Sequence, residues 1–245
     1  FWKSWQFAGA AAVFAVVVAG VLAMQSGKKQ TVAARAVAKA EYPDNAPYPD
    51  EQAYFDENGN FDDAGFSKEY DAWWEDVKAR RELTGYEEGL DSYFTRSIRA
   101  FLSGQEGENR VCSPLNIYMA LGMMAELTEG NSRQQILDLL GSENIEALRT
   151  QASLLWRAGY CDDGALTSIL ASSLWLNKDI TFNQKTLDLL ADHYYASSYQ
   201  GEMGSEDLDG LFQDWLNEQT GGLLKEQVST QKLGAETVMA LAATI

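Results

Sequence analysis

Asn109-Arg110-Val111-Cys112-Ser113-Pro114-Leu115-Asn116-Ile117-Tyr118-Met119-Ala120-Leu121 is the stretch on which the fold turns. A serine hydroxyl can accept a hydrogen bond from a free backbone N–H of the next turn, and a proline has its φ already fixed for the first helical position. Ser113-Pro114 therefore opens a helix, and the apolar pattern carries it to about Leu127. Downstream, Ser132-Arg133-Gln134-Gln135 has the spacing of a capping box and predicts a helix with Ile136, Leu139 and Leu140, stopped by Gly141. Ile169 to Leu176 is short, apolar and bounded by Asn177-Lys178, the pattern of a buried strand. Phe182 to Tyr195 is helical through Leu187, Leu190, Ala191 and Tyr194. Asp207 caps a further helix with Leu208, Leu211, Phe212, Trp215 and Leu216 on one face, broken at Thr220-Gly221-Gly222. Upstream, Leu90, Tyr93, Phe94, Ile98, Phe101 and Leu102 repeat at helical spacing before Gly104. The order is α+β, and Thr237 to Ile245 begins a second strand whose partners are expected beyond Ile245.

The 245 residues carry a net charge of −17, distributed unevenly. Residues 1–40 hold five bases and no acid, residues 41–90 hold fifteen acids and four bases, and residues 91–245 hold 21 acids and 10 bases. No basic face is available to neutralise phosphates, so nucleic acid is not an expected partner. The last part is rich in Leu, Trp and Tyr, which excludes wholesale disorder. The chain starts without Met and ends on an apolar run, and both ends read as those of a piece of a longer protein.

Residues 1–27 read as a transmembrane or signal-anchor segment. Ser4 to Gly27 is uncharged, and residues 7–24, at about 1.5 Å per residue, match a bilayer's hydrocarbon core, with Trp2 and Trp5 at the interface. The rival is a secretory signal, but Leu22-Ala23-Met24-Gln25 is a poor cleavage site and Ala36-Val37-Ala38 lies far downstream. The expected localisation is a single-pass membrane protein, with secretion after cleavage as the alternative. One Lys before the span and four bases after it put the C-terminal side in the cytoplasm by charge alone.

Residues 28–66 read as an acidic linker containing Pro43, Pro47 and Pro49. Within it, Asp56-Glu57-Asn58-Gly59-Asn60 has the opening of a calcium loop, but Phe61 and Ser67 stand where Gly and Glu are needed, and a solvated turn is the competing reading. Residues 67–89 read as an amphipathic connector helix whose face of Tyr70, Trp73, Trp74 and Val77 is expected to dock on the following domain, with a partner-binding helix as the alternative. Catalytic signals are sparse. His193 is the single histidine and Cys112 the obvious nucleophile, so a Cys hydrolase is the one enzyme on offer, and Cys112 reads as packing. A Cys112–Cys161 disulfide is open to an exported chain. No cofactor motif is present, and the pattern points to binding, not catalysis.

The order of motifs resembles the serpin family. Asn109 to Leu121 is similar to the family's segment entering helix B, and Glu129-Gly130-Asn131-Ser132-Arg133-Gln134-Gln135-Ile136 to its turn into helix C. Ala171-Ser172-Ser173-Leu174-Trp175-Leu176-Asn177 resembles a strand, Trp215 to Leu224 the end of helix F, and Thr237-Val238-Met239-Ala240-Leu241 the start of the third strand of sheet A. The resemblance covers residues 90–245. It implies the helix-rich N-terminal part of a serpin fold, incomplete at its C-terminus and therefore inactive without the reactive loop. It further implies an inhibitor of extracellular serine or cysteine proteases that traps its target by inserting a cleaved loop into an opening sheet. Such targets favour the domain facing outside, against the charge count. A non-inhibitory binding or scaffold module at the cell surface is the alternative. By resemblance Ser113, Pro114 and Asn116 fall in the shutter beneath that sheet. Asn116 replaces the family's second serine, Ala243 stands where many members have asparagine, and Leu223 replaces the usual basic residue after Gly222.

Overall fold

The computed structural model describes residues 31–103, 107 and 109–245, so the expected membrane segment at 7–24 lies outside the described residues, as does Gly104. Among the described residues no helix is long and apolar enough to cross a membrane. The chain forms two units, Phe1–Arg35 and Ala36–Ile245, and the described part of the first contains a short 3-10 helix, Val32–Arg35.

In the second unit, helix α1 (Asp63–Arg81) begins four residues earlier than its periodicity predicts, because Asp62 accepts from the Gly65 N–H at 3.0 Å and caps it. Lys78, Arg80 and Arg81 in its last turn suit the negative end of the helix dipole. Helix α2 (Leu90–Leu102) and helix α3 (Pro114–Glu126) follow their predicted patterns, and Ser113 caps α3 with Pro114 at its first position. Helix α4 (Gly130–Leu140) corrects the capping-box expectation. It starts at Gly130, directly after an extended Glu129, which leaves Ser132 inside the first turn; Gly141 ends it at φ 75° as the stop signal requires. Helix α5 (Ile145–Gly159), capped by Asn144, is absent from the sequence reading. A small hairpin, β1 (Cys161–Asp162) and β2 (Thr167–Ser168), leads to strand β3 (Ala171–Asn177).

Helix α6 (Gln184–Tyr194) then returns the chain to strand β4 (Ala196–Gly201), which pairs parallel with β3 in a crossover unit. Helix α7 (Glu206–Gln219) is capped by Ser205, not Asp207, and is followed by the single turn α8 (Lys225–Val228) and strand β5 (Met239–Thr244). The sheet order is β4-β3-β5. The expectation that the last strand lacks a partner is thus corrected: β5 pairs antiparallel with β3, Leu241 opposite Leu174 and Ala243 opposite Ser172.

β3 is the centre of the molecule. Leu174 and Leu176 join the core built by Tyr118, Met119 and Met123 of α3 and by Leu187, Leu190 and Tyr194 of α6. Trp175, on the opposite face by the period of the strand, stacks on Tyr199 at 4.4 Å and meets Phe212 and Trp215 of α7 edge-on at 5.0 and 6.4 Å. The approach of α3 to α6 is close because position 122 is glycine: a Cβ there would stand 2.7 Å from the Tyr194 ring. Beside it the buried Glu126 carboxylate accepts two hydrogen bonds from Arg149 at 2.7 and 2.8 Å and one from the Tyr194 hydroxyl at 3.3 Å. A charge buried this deeply is tolerated only with such a partner.

Candidate functional site

Two places set positioned polar groups beside the sheet. The first is the N-terminus of α3, the helix whose core residues pack behind the sheet. The Ser113 hydroxyl accepts from the Asn116 N–H at 3.3 Å and donates to Asn116 Oδ1 at 3.1 Å, so Asn116 completes the cap locally. The Pro114 carbonyl accepts from the Tyr93 hydroxyl at 3.0 Å, which ties α2 to the same corner. On the sheet, Ala243 is opposite Ser172, and period two puts both on the face that carries Leu174 and Leu241 toward the helices. Ser172 and Ser198 are buried there with hydroxyl oxygens that have no hydrogen-bond partner among the described residues. An alanine at 243 offers neither of them an amide.

The second place is the outer edge of β4, and sequence reasoning missed it. Residues 36–48 are extended, as a proline-containing linker should be, but they are docked. Val37 N–H donates to the Ser198 carbonyl at 2.8 Å, and Ser198 N–H donates to the Ala38 carbonyl at 2.8 Å, an antiparallel bridge on the edge of the sheet. Ala40 N–H reaches Ser197 Oγ at 3.1 Å, and Gln184 Nε2 donates to the Val37 carbonyl at 3.2 Å. Tyr42 then enters an aromatic stack: its ring is 4.9 Å from Trp156, 5.7 Å from Tyr160 and 6.4 Å from Tyr195. Trp156 is sandwiched between Tyr160 at 4.5 Å and Tyr195 at 3.6 Å. Tyr195 achieves this from a left-handed backbone, φ 50°, an unusual state for a bulky residue and one held here by the packed ring. Burial, with Tyr199 and Tyr160 nearby, pushes the Tyr42 phenol up to about 12.

Further along, Asn45 Oδ1 accepts from the Asp162 N–H at 2.7 Å and Tyr48 N–H donates to the Asp163 carbonyl at 2.8 Å. The connector helix docks on the same hairpin. Trp73 Nε1 donates to Asp163 Oδ2 at 3.0 Å, and Tyr48 meets Trp73 edge-on at 5.1 Å. Burial alone would raise the Asp163 pKa, but hydrogen bonds from Trp73, Leu166, Cys161 and Ala165 outweigh it and hold the carboxyl at about 2. A cavity of about 510 Å³ remains between α1 and the hairpin, lined by Tyr48, Trp73, Arg80, Tyr160 and Asp163. Arg80 there is already engaged, 3.1 Å from Asp76 and 3.8 Å from Asp163.

The other candidates do not assemble. Cys112 and Cys161 are both free thiols, so the disulfide open to the sequence is not formed; Cys161 instead lies 3.3 Å from Asp163 Oδ2. Cys112 precedes α3 and His193 occupies the last turn of α6, with no hydrogen bond joining them. In the loop with the calcium-like opening, the Asp56 carboxylate accepts from the Asn58 and Asn60 N–H groups and from Asn60 Nδ2, each at 2.8 Å, which makes a self-contained turn.

Comparison with known proteins agrees with this architecture. The model of the serpin (serine protease inhibitor) family matches residues 91–245. Serpin-ZX of Arabidopsis thaliana is 26% identical over 126 residues, which are 49% of this chain and 32% of that protein. Mouse neuroserpin is 25% identical over 139 residues, 56% of this chain and 34% of that one. The chain thus spans about a third of the length of the curated relatives it matches. Among solved structures, Arabidopsis AtSerpin1 in its native stressed conformation superposes with a TM-score of 0.56 at 22% identity, covering 65% of this chain and 43% of that one. Human thyroxine-binding globulin, complexed with thyroine, gives 0.56 at 17% identity, covering 66% and 44%. With the family model covering the domain from its first helix to its last strand, the chain belongs to the serpin family.

Proposed function

We propose that the chain is the N-terminal part of a serpin-type inhibitor of extracellular serine or cysteine proteases that acts by conformational trapping, and that residues 7–24 tether it to a lipid bilayer with the domain outside. The observation that carries the reading is the three-stranded sheet β4-β3-β5, with α7 across one face and α3 behind the other, in a chain of this family. A sheet of this kind can take a further strand only at an open edge, and among the described residues the outer edge of β5 is unpaired. The reactive loop that would fill it belongs to the length of the relatives that this chain does not span. In this reading Ser113, Pro114 and Asn116 form the helix side of a shutter and Ala243 the sheet side. With Ala243 in place of an amide, the sheet is less firmly latched to α3 than an asparagine would make it. Serpins are generally inhibitors and not catalysts, and no enzymatic role is proposed.

The test uses the full encoded protein, reading through the coding sequence after Ile245, with a panel of serine and cysteine proteases. Inhibition through a complex that survives boiling in detergent supports the reading. Simple cleavage, or no reaction with any of them, contradicts it and favours the second reading, a non-inhibitory binding module. Reporter fusions placed after Ala40 test the tether: activity of the exported reporter supports the outward orientation, and activity of the cytoplasmic reporter alone overturns it. If the membrane fraction holds no fusion protein, the segment is a cleaved signal and the protein is secreted.

A further inference from the structure

Residues 36–48 precede the family match at 91–245, yet they occupy a shaped surface of it. We propose that the outer edge of β4 and the Trp156–Tyr160–Tyr195 stack together form a binding groove for an extended, aromatic-bearing peptide segment, and that residues 36–48 are its exchangeable intramolecular ligand. The groove is independent of the inhibitor reading.

It has both parts that strand-adding recognition uses: backbone groups that supply affinity and a side-chain pocket that supplies selectivity. The backbone part is the Ser198 N–H and carbonyl, which exchange hydrogen bonds with Val37 and Ala38, and the Ser197 hydroxyl, which accepts from Ala40. The ligand suits it. Ala36, Ala38 and Ala40 are small enough to let the two backbones approach, and Lys39 and Glu41, on either side of Ala40, pair with each other at 2.8 Å in solvent. The pocket takes the Tyr42 ring against Trp156 and Tyr160. Pro43, Pro47 and Pro49 hold the following residues extended before docking, which lowers the entropy lost on binding.

Exchangeability follows from how the segment is held, by separate contacts and not by a continuous ladder: the bridge at Ser198, single hydrogen bonds with Ser197, Gln184, Asp162 and Asp163, and the Tyr42 and Tyr48 rings. Its sheet contact is one isolated bridge, Ala38 with Ser198, not a ladder. Of its side chains, Ala38 and Ala40 are buried, Tyr42 and Tyr48 are half-buried, and Lys39, Glu41, Pro43 and Asp44 are exposed. Segments at the rim of a core, as here where Ala38 joins it and Val37 and Tyr42 pack against it, open at a fraction of the global unfolding free energy. The consequence is a coupling. β4 pairs with β3 on its other edge from Ala196 to Gly201, so whatever shifts β4 against β3 moves the Ser198 groups off register with the segment. Reciprocally, a filled groove favours the present position of β4.

The experiment is competition by a fluorescently labelled peptide of residues 36–48 against the full chain. In the wild-type chain the tethered segment acts at an effective concentration in the millimolar range and excludes micromolar peptide. Chains with Tyr42→Ala or Val37→Pro have a weakened tethered copy and are expected to bind the peptide at least about tenfold more tightly than wild type, with Val37→Pro removing a bridge N–H. A peptide carrying alanine at the Tyr42 position is expected not to bind. Failure of the peptide to bind both variants, equal binding to wild type and variants, or equal binding by the alanine peptide each overturns the proposal. The two variants alter different parts of the segment, and near-ultraviolet circular dichroism identifies a variant whose core is intact, so a folded chain is available for the decisive comparison.

Discussion

β3 and the segment 36–48 are both extended, both pair with the same sheet, and are held by opposite physics. β3 is buried over Ala171 to Leu176, paired on both edges, and carries Trp175 into a nest of three aromatic rings. Segment 36–48 has a single bridge, the Tyr42 and Tyr48 rings and several exposed charges. The first is held by area removed from water, which is cooperative and spread over many neighbours. The second is held by a few point contacts, each removable without disturbing the rest. A chain built this way can lose its strap and keep its core.

The comparison breaks most visibly at Trp175. Trp175→Ala removes a fully buried ring between the sheet and α7 and is expected to cost about 4 kcal/mol, read as a lower midpoint in urea denaturation. A cost below about 1 kcal/mol would show that the sheet and α7 are not one packed unit. Arg149→Ala strands the buried Glu126 carboxylate and is expected to cost about 3 kcal/mol by the same assay. Double replacement with Glu126→Gln should recover part of that loss, because the unpaired charge is gone.

Changes in the strap should be smaller and local. Tyr42→Ala is expected to cost about 2 kcal/mol of docking free energy, seen as faster amide exchange at Ser198 and Val37, with Leu174 and Leu176 unchanged. The docking should also have a pH window. The Tyr42 phenol is raised from 10.0 to about 12 when docked, so its contribution is complete below pH 10 and fades as pH rises through 12. The contact of α1 with the hairpin has its own window: the Asp163 carboxyl that accepts from Trp73 is lowered from 3.8 to about 2, so its contribution there is complete above pH 3.8 and fades as pH falls through 2. Trp73, which donates to Asp163, is the fluorescent reporter at the acid end. The emission change on acidification should be lost in Asp163→Asn. The smallest effect is expected at Ala243→Asn, where a new amide can reach the orphaned Ser172 hydroxyl for a gain of about 1 kcal/mol. A loss instead would show that the space behind the sheet is already full.

How much of this was legible in the sequence follows the same division. The helices α2, α3, α6 and α7 and the strand β3 announce themselves by apolar period and by Ser113-Pro114, because burial on one face writes a pattern along the chain. The family resemblance rests on these same elements. Strand β4, Ala196-Ser197-Ser198-Tyr199-Gln200-Gly201, escaped because it is polar and small, and only its pairing with β3 makes it a strand. Helix α5 did carry a readable signal, Asn144 as cap and Leu148, Ala152, Leu155 and Trp156 on one face. The pairing of β5 with β3 is a long-range choice that no local pattern encodes. The docking of residues 36–48 was illegible for a further reason. One bridge and the two rings of Tyr42 and Tyr48 leave no period, and the prolines and acids around them look the same in a free linker.

The central claim, a cooperative core carrying a separately detachable strap, is tested most directly by native-state hydrogen exchange on the full chain across a series of low urea concentrations. The account predicts that the amides of Val37 and Tyr48 exchange through a small opening that exposes little surface, well before the amides of Ser173 and Trp175 at the centre of β3. Exchange of all four with the same free energy and the same urea dependence would contradict it, because strap and core would then open as one.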